Sequence, residues 1–391
     1  MKYKNANEIL PAELVEELQK YIQSEFVYIP KKDRQTNRAV TEYRIELEKR
    51  NARIYTMHLE GISNEQLAKS FSLAESSIRR ILIEQRKKFD IMSDKIKALL
   101  PAWGLKNKSI KQIYATVWQI GDDYVLKLYS EREALKRNIT INQYLEAMEI
   151  PVGKLLSTTN GEQFIEDREQ FFFVSKKLKG SNIVSLKFGN KIAEQMGEII
   201  ANLHIAFNSL EDKIELWENS LLDEMNGWVK ESFQKSGWQN ISQEEYEHII
   251  ERLEGLYKSL PVQLIHRDVH FGNFLFNQKN FSGYIDFDLS QKNIRIFDLC
   301  YFVLSVLSEK EKFEITEEKW FDFVEKVFAG YNRILNLTSE EKEATVLVME
   351  CIELLFLAYF EGQEDSALAK NTYDVFKLIN SNEKRITRII R

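Results

Sequence analysis

The sequence predicts an α+β chain, in which an all-α N-terminal part precedes an antiparallel sheet and a long, mainly helical remainder. Short apolar runs separated by turn residues fill 109–180, which is typical of strands. Helical spacing of apolar residues returns from Ile192 onward and is interrupted by a hairpin region at 262–288. Near the N-terminus, apolar residues recur every four positions, at Leu10, Leu14, Leu18 and Ile22.

Composition places the chain among soluble globular proteins. Its 391 residues predict two or three domains, and 44% hydrophobic with 29% charged residues is ordinary for that class. No apolar run approaches the roughly 18 residues that a membrane helix needs, and the N-terminus has no apolar signal core. Cys300 and Cys351 lie far apart in apolar surroundings, so we expect reduced core residues in a cytoplasmic protein without membrane partners.

Charge divides the chain unevenly. The net charge of −6 is the balance of +4 on residues 1–99 and −10 on residues 100–391. A basic head on an acidic body suggests two parts with different partners.

The basic head contains a helix-turn-helix pattern. Predicted helices at Ala6–Ser24 and Glu42–Glu60 lead to Gly61, which suits a helix end. In the following segment, Gly61–Leu82, Ser63 and Gln66 form a capping box. Two short amphipathic helices then flank a turn at 72–74. In the helix-turn-helix geometry the second helix enters the major groove of DNA with its early residues.

Exposed residues of this second helix would contact DNA. They are predicted to be Ser76, Arg79, Arg80 and Lys87. Two plainer interpretations exist, because this geometry also occurs in ordinary helical domains and basic helix faces are commonly just solvated. Residues 2–88 resemble the Mor-type transcription activator family, with departures at Ser24 and Ala74. The resemblance is carried by Lys4-Asn5-Ala6, Ile9-Leu10-Pro11, Tyr28-Ile29-Pro30-Lys31-Lys32, Arg50-Asn51 and the helix-turn-helix. Because helix-turn-helix proteins usually bind as dimers, we expect a homodimer.

The most informative stretch is Leu264–Asp288. An apolar run ends at His266, and Asp268 and Asn273 follow it. Two further short strands come next, and the second of them carries Asp286 and Asp288. Phosphoryl transfer requires a carboxylate that accepts the attacking hydroxyl's proton, and acidic and amide oxygens that hold magnesium against nucleotide phosphates. The order HxDxxxxN followed by xDF is the kinase arrangement.

Residues 109–391 resemble the aminoglycoside phosphotransferase and choline kinase superfamily, relatives of protein kinases that phosphorylate small molecules. The resemblance implies a bilobal protein-kinase-like fold with an antiparallel N-lobe and a mainly helical C-lobe. It makes Asp268 the catalytic base, with His266 bracing the loop. It makes Asn273 and Asp286 ligands of Mg²⁺, while Asp288 would contact the metal or hold the loop.

The nucleotide would bind in the N-lobe. Lys127, on an apolar strand, fits the lysine that reaches the α- and β-phosphates. The resemblance pairs it with Glu133 on the next helix. The loop that covers the phosphates departs from the family, since no glycine lies between Ile113 and Trp118, and only the amides of Ala115 and Thr116 could cradle phosphate. The hinge for the base would include Lys177 and Leu178.

These features predict four segments. Residues 1–95 form the predicted DNA-binding domain, 96–108 a linker, 109–180 the kinase N-lobe and 181–391 the C-lobe. The predicted activity is ATP- or GTP-dependent and Mg²⁺-dependent phosphorylation of a small-molecule hydroxyl. Aromatic residues together with Glu350, Glu353 and Glu361 would suit a cationic acceptor by charge and cation–π attraction.

Two other functions stay open. The kinase-like part could sense a ligand or nucleotide for a transcription regulator without turnover, and the glycine-free phosphate loop favours this. The complete set of Asp268, Asn273 and Asp286 favours the enzyme. A protein kinase is suggested by His266-Arg267-Asp268, but the glycine loop and a segment ending in APE are missing.

Overall fold

The chain divides into two compact units, Met1–Lys88 and Phe89–Arg391. The computed structural model describes Val15 and residues 50–51, 53–55, 57–58, 61–71, 73–183, 190–210, 219–363 and 365–390. The division falls before the predicted boundary at 95/96. Residues Ile96, Leu100, Trp103 and Leu105, from the predicted linker, are buried in the hydrophobic core of the second unit. That segment is therefore core and not linker, because its apolar side chains cover one face of a sheet.

The described part of the first unit comprises helical residues at 50–51, 53–55 and 57–58, helix α1 (Asn64–Ser70) and the start of α2 (Glu75–Leu99). The capping box at Ser63 and Gln66 forms as predicted, with both reciprocal hydrogen bonds present. A small buried cluster holds the helices together, and it comprises Ile54, Leu67, Ile78 and Ile81. The predicted helix Ala6–Ser24, apart from Val15, and most of the predicted helix Glu42–Glu60 lie outside the described residues.

The second unit begins with an antiparallel six-stranded sheet. Its strands are β1 (Ile110–Tyr114), β2 (Val117–Ile120), β3 (Tyr124–Tyr129), β4 (Leu155–Leu156), β5 (Ile165–Asp167) and β6 (Gln170–Lys176). The order is β1-β2-β3-β6-β4, and β5 also pairs with β6. Helix α3 (Arg132–Ala147) connects β3 to β4. The predicted antiparallel sheet is confirmed.

Alternation along the strands gives the sheet two different faces. Leu126 and Phe172 point into the cluster that contains Trp103. On the opposite face, Tyr129 packs with Phe171 and Phe173 against the helix residues Leu135 and Ile139. Lys127 is two residues from Tyr129, so it lies on the α3 side of the sheet.

Helices dominate the rest of the chain, as predicted. They are α4 (Asn190–Leu210), α5 (Leu221–Glu224), a π-helical turn (Met225–Val229), α6 (Lys230–Ser236), α7 (Gln243–Tyr257), α8 (Ile296–Ser308), α9 (Lys310–Phe313), α10 (Glu317–Ile334), α11 (Ser339–Gly362), α12 (Ser366–Ser381) and α13 (Glu383–Ile389). Four short strands lie between α7 and α8, namely β7 (Val262–Ile265), β8 (Phe274–Asn277), β9 (Asn280–Tyr284) and β10 (Gln291–Ile294). They form two antiparallel pairs, β7 with β10 and β8 with β9.

Both cysteines, Cys300 and Cys351, are buried and free within this helical core. A search of the described helices finds none with the length and hydropathy required to span a membrane.

Helices α4 and α10 cross very closely through two glycines. A Cβ atom added at Gly330 would lie 2.0 Å from the carbonyl oxygen of Glu194, and one at Gly197 would lie 2.0 Å from that of Val327. Backbone cannot move aside as a flexible side chain can, so only glycine fits at either position. The crossing brings Tyr331 of α10 against His204 of α4, whose rings meet edge to face.

We expect Gly330→Ala to destabilise the protein by at least ~2 kcal/mol, because the added methyl group overlaps backbone of the facing helix. Gly255→Ala is the matched control. Gly255 lies in α7 with no atom within 4 Å of an added Cβ, so alanine there should raise stability by up to ~1 kcal/mol. Thermal unfolding of both variants checks this, and an unchanged melting temperature for Gly330→Ala would contradict the close crossing.

Candidate active site

The loop after β7 holds the side chain of Asp268 in a fixed orientation. Asn273 donates hydrogen bonds from Nδ2 to the Asp268 carbonyl oxygen at 2.9 Å and to its Oδ2 at 3.0 Å. Tyr301 of α8 donates its hydroxyl hydrogen to Oδ1 at 3.0 Å. His270 Nε2 lies 3.5 Å from Oδ2. The carboxylate is therefore positioned from both sides before any substrate binds.

This surrounding also keeps Asp268 ionised. Burial by itself would raise the pKa of the carboxyl group. The hydrogen bond and charge of His270, the charge of His266 and the Tyr301 hydroxyl outweigh burial and lower the pKa to about 2. The Asp268 carboxylate is accordingly an acceptor of hydrogen bonds at neutral pH, suited to orienting a hydroxyl group.

A buried aspartate, Asp298, braces this loop from the first turn of α8. Its carboxylate accepts hydrogen bonds from the backbone amides of His266 at 2.8 Å and Arg267 at 2.9 Å. His204 Nε2 lies 3.0 Å from the same carboxylate, and His204 Nδ1 lies 2.8 Å from the Tyr331 hydroxyl. Asp298 therefore holds the backbone of the loop that carries Asp268.

His266 itself points away from the reacting region. Its ring is fully buried, packs 5.2 Å from the ring of Phe287, and places Nε2 3.4 Å from the carbonyl oxygen of Ile285. That contact joins the loop to the strand end carrying Asp286. The position fits the bracing role expected of His266 and offers no group for proton transfer to a substrate.

Lys127 bridges the sheet to the hairpin. Its ammonium group lies 2.8 Å from Asp286 Oδ1 and 2.6 Å from Asp288 Oδ2. Burial would lower the lysine pKa, but the two carboxylates outweigh it and raise the pKa above its usual value. Asp286 has φ of 65°, a left-handed conformation that is uncommon outside glycine and is concentrated at functional sites.

The predicted pairing of Lys127 with Glu133 is not formed. Glu133 is largely exposed and binds Lys136 at 3.0 Å, one turn further along α3. It lies in the first turn of that helix. Instead, Asn138 of α3 donates to Asp288 Oδ1 at 2.8 Å, and Tyr129 donates its hydroxyl hydrogen to the same oxygen.

The predicted phosphate loop is a two-residue hairpin turn. Ala115 and Thr116 separate β1 from β2, where Tyr114 pairs with Val117. Neither residue has positive φ, so this turn closes without glycine. Thr116 is tied to the neighbouring strand, since its carbonyl oxygen accepts the amide hydrogen of Leu128 at 2.9 Å.

The predicted hinge follows β6. The backbone amide of Lys177 donates to the carbonyl oxygen of Asp123 at 2.7 Å. The ammonium group of Lys177 donates to Gln119 Oε1 at 2.9 Å. Leu178 lines a cavity of about 490 Å³ with Lys177 and the turn residues Asp122 and Asp123. The amide of Lys177 is thus already engaged within the sheet.

The oxygen donors present fit a magnesium ion. Asn273 turns its amide nitrogen toward Asp268, which leaves its oxygen for another partner. Asp286 uses one oxygen for Lys127. Magnesium is usually bound by one or two carboxylates together with substrate phosphates and water. Within the described ranges no group of three or more His, Cys, Asp and Glu side chains could hold a metal ion.

An acidic and aromatic wall flanks Tyr301. The ring of Phe356, from α11, lies 5.8 Å from the Tyr301 ring. Glu353 lies one helical turn before Phe356 and is only 3% exposed. Its carboxylate forms no hydrogen bond or ion pair with a described residue. Burial raises its pKa to about 8, and its charge contributes to the raised pKa of Tyr301.

Sequence reasoning missed Tyr129, Asn138 and Tyr301. Two of them had a usable signal. Tyr129 shares a strand face with Lys127, and Tyr301 follows Asp298 by three residues, so each pair lies on one side of its element. Asn138 gave none, since only the packing of α3 against β3 turns it toward Asp288.

The chain belongs to the phosphotransferase enzyme family, whose model matches residues 110–337. It is therefore a kinase-like phosphotransferase by family, and the kinase-like fold expected from the sequence is confirmed. The loop that carries Asp268, the β8–β9 hairpin and the six-stranded sheet all fall within the matched segment.

Two curated proteins and one solved structure are similar to this chain. The chain is 25% identical to homoserine kinase of Zymomonas mobilis subsp. mobilis over 253 residues, covering 60% of this chain and 72% of the relative. It is 33% identical to the uncharacterized protein YraL of Bacillus subtilis over 84 residues, covering 21% and 97%. Amicoumacin kinase in complex with AMP-PNP, Ca²⁺ and Ami has a similar fold, with a TM-score of 0.54, 16% identity, and 69% and 88% coverage.

Proposed function

We propose that this protein transfers the γ-phosphoryl group of ATP or GTP to a hydroxyl group of a small molecule. The observation that carries the proposal is the oriented, ionised Asp268 in the loop that also supplies Asn273. Asn273 and Asp286 would hold Mg²⁺, which would neutralise charge on the nucleotide phosphates.

In the proposed reaction the acceptor hydroxyl binds Asp268, which orients it toward the γ-phosphorus. A bond forms between the hydroxyl oxygen and phosphorus as the bond to the bridging oxygen breaks, and the nucleoside diphosphate leaves. The hydroxyl proton passes to Asp268. Lys127 exchanges a carboxylate partner for α- and β-phosphate oxygens. The amides of Ala115 and Thr116 would cover the phosphates, and the segment at Lys177 and Leu178 would border the base.

We expect Asp268→Asn to reduce phosphoryl transfer by at least 1000-fold while nucleotide affinity changes less than about threefold, because Asp268 contacts the acceptor and not the nucleotide. The assay is nucleoside diphosphate release with Mg²⁺ across homoserine, choline, aminoglycosides, macrolides and sugars. Asp374→Asn, on the exposed Asp374–Lys377 pair, is the matched control and should retain full activity.

Undiminished turnover by Asp268→Asn would contradict the role of Asp268. If the wild-type protein binds nucleotide but turns over no acceptor in the panel, the site is better explained as a nucleotide sensor attached to a regulator.

We propose further that the acceptor carries an ammonium group, which binds Glu353. A carboxylate buried without a partner is costly, and a bound cation removes that cost. Phe356 and Tyr301 add aromatic faces that attract cations. Homoserine, the substrate named for the Zymomonas relative, combines a hydroxyl with an amino group.

We expect Glu353→Gln to raise the KM of amine-bearing acceptors by 10-fold or more and to leave the KM for ATP unchanged, because only the acceptor would meet this side chain. Glu350→Gln is the control. Glu350 is equally buried one turn earlier on α11, but Asn380 already binds it at 3.0 Å. An acceptor KM that is the same in Glu353→Gln and wild type would refute the ammonium site.

We propose a second activity, DNA binding by the first unit. The buried contact of α1 with α2 through Leu67 and Ile78 leaves the predicted DNA-binding residues Ser76, Arg79, Arg80 and Lys87 exposed. Among the described residues, Arg79 forms one ion pair, an exposed contact with Glu75 at 3.2 Å that phosphate could replace. A homodimer through this unit would present two recognition helices.

We expect the double variant Arg79→Ala/Arg80→Ala to bind a non-specific DNA duplex at least 10-fold more weakly. The slope of log affinity against log salt concentration should fall by the amount that about two phosphate contacts contribute. Fluorescence anisotropy between 50 and 200 mM salt measures both. Arg385→Ala, in the second unit, should bind as wild type. Equal affinity of the double variant and the wild-type protein for DNA would show that this surface does not bind DNA.

A further inference from the structure

Asp288 uses both carboxylate oxygens on protein donors. Oδ2 receives the ammonium group of Lys127 at 2.6 Å. Oδ1 receives the amide of Asn138 at 2.8 Å and the hydroxyl group of Tyr129. Three donors from two elements, strand β3 and helix α3, therefore converge on one carboxylate.

Asp286, two residues earlier, is bound very differently. Its only side-chain contact among the described residues is Lys127, at 2.8 Å from Oδ1. The other oxygen accepts no hydrogen bond from a described residue, and the side chain is 46% exposed. The two aspartates are therefore not equivalent, although both border the same lysine.

Helix α3 was expected to supply Glu133 as the counter-ion of Lys127, but it supplies the side-chain amide of Asn138 to Asp288 instead. Asn142 donates from Nδ2 to Asn138 Oδ1 at 2.8 Å, which fixes the orientation of the Asn138 amide and turns its nitrogen toward Asp288. Asn138, in the middle of this chain of hydrogen bonds, is buried. An uncharged amide can hold a carboxylate in place but cannot itself balance the charge of a lysine.

Resting on the proposed phosphotransferase function, we propose that Asp288 is the residue that positions Lys127 and is not a ligand of the metal. Asp286 and Asn273 are the protein ligands. When nucleotide and metal bind, Asp286 exchanges Lys127 for the metal, while Asp288 keeps Lys127 beside the α- and β-phosphates. Asn138 and Tyr129 hold Asp288 throughout.

The test separates metal affinity from nucleotide affinity in the full-length protein. Mn²⁺ affinity is measured by electron paramagnetic resonance at saturating ADP, and affinity for a fluorescent ADP analogue at saturating Mg²⁺. Asp286→Asn should weaken Mn²⁺ binding at least 10-fold. Asp288→Asn should change Mn²⁺ affinity less than threefold but weaken binding of the ADP analogue at least fivefold.

Two further variants keep the test decisive. Asn138→Ala leaves the hairpin intact and should weaken the ADP analogue two- to fivefold with unchanged Mn²⁺ affinity, even if Asp288→Asn does not fold. Asp288→Asn/Asn138→Asp returns a carboxylate to the network and should recover part of the lost ADP affinity, which a residue of purely structural importance would not do.

Loss of Mn²⁺ affinity in Asp288→Asn equal to that in Asp286→Asn would overturn the assignment and make Asp288 a metal ligand. Unchanged affinity for the ADP analogue in Asp288→Asn and Asn138→Ala would overturn it as well. A wild-type protein that binds neither the ADP analogue nor Mn²⁺ with ADP would refute the phosphotransferase function itself.

Discussion

The candidate active site depends on the buried carboxylate of Asp298. Two backbone amides of the catalytic loop and the ring of His204 converge on it, and the hydroxyl group of Tyr331 fixes that ring from the other side. Arg267, whose amide is one of the two, has φ of 71°, a conformation that costs on the order of 1–3 kcal/mol and needs such support. Removing one of these partners would leave the buried charge of Asp298 incompletely compensated, so this cluster tolerates little change.

The close crossing of α4 and α10 at two glycines, away from Asp268, makes the cluster around Asp298 possible. Tyr331 reaches His204 because α10 crosses α4 at Gly197 and Gly330 without intervening side chains. The helix pair therefore positions Asp298, Asp298 positions the loop, and the loop presents Asp268. On the opposite side of Asp268, Tyr301 extends from the helix that Asp298 begins, so one helix both supports the loop and orients the carboxylate.

Charge balance links the sheet to the hairpin. Lys127 faces two aspartates, which leaves one negative charge in excess at the point where a nucleotide with its metal would bind. The difference between them lies in their other partners, because Asp288 is held by Asn138 and Tyr129 whereas Asp286 is comparatively free. This difference is the basis for proposing that Asp288 keeps Lys127 in place while Asp286 releases it. On the side of the proposed acceptor site, Glu353 is a buried acidic group near Tyr301, and burial raises its pKa to about 8.

Local pattern determined the strands of the sheet, the capping box at Ser63, and the loop order of Asp268, Asn273 and Asp286, because turn chemistry, alternation and short spacings act within one segment. Contacts between segments that are distant in the sequence depended on tertiary packing. It placed Ile96 and Trp103 in a core instead of a linker, since a sheet face left uncovered must find apolar partners. It also replaced the expected Lys127–Glu133 pair with Asp288, because Glu133 opens its helix beside the end of β3 whereas the hairpin brings a carboxylate within 2.6 Å of the lysine.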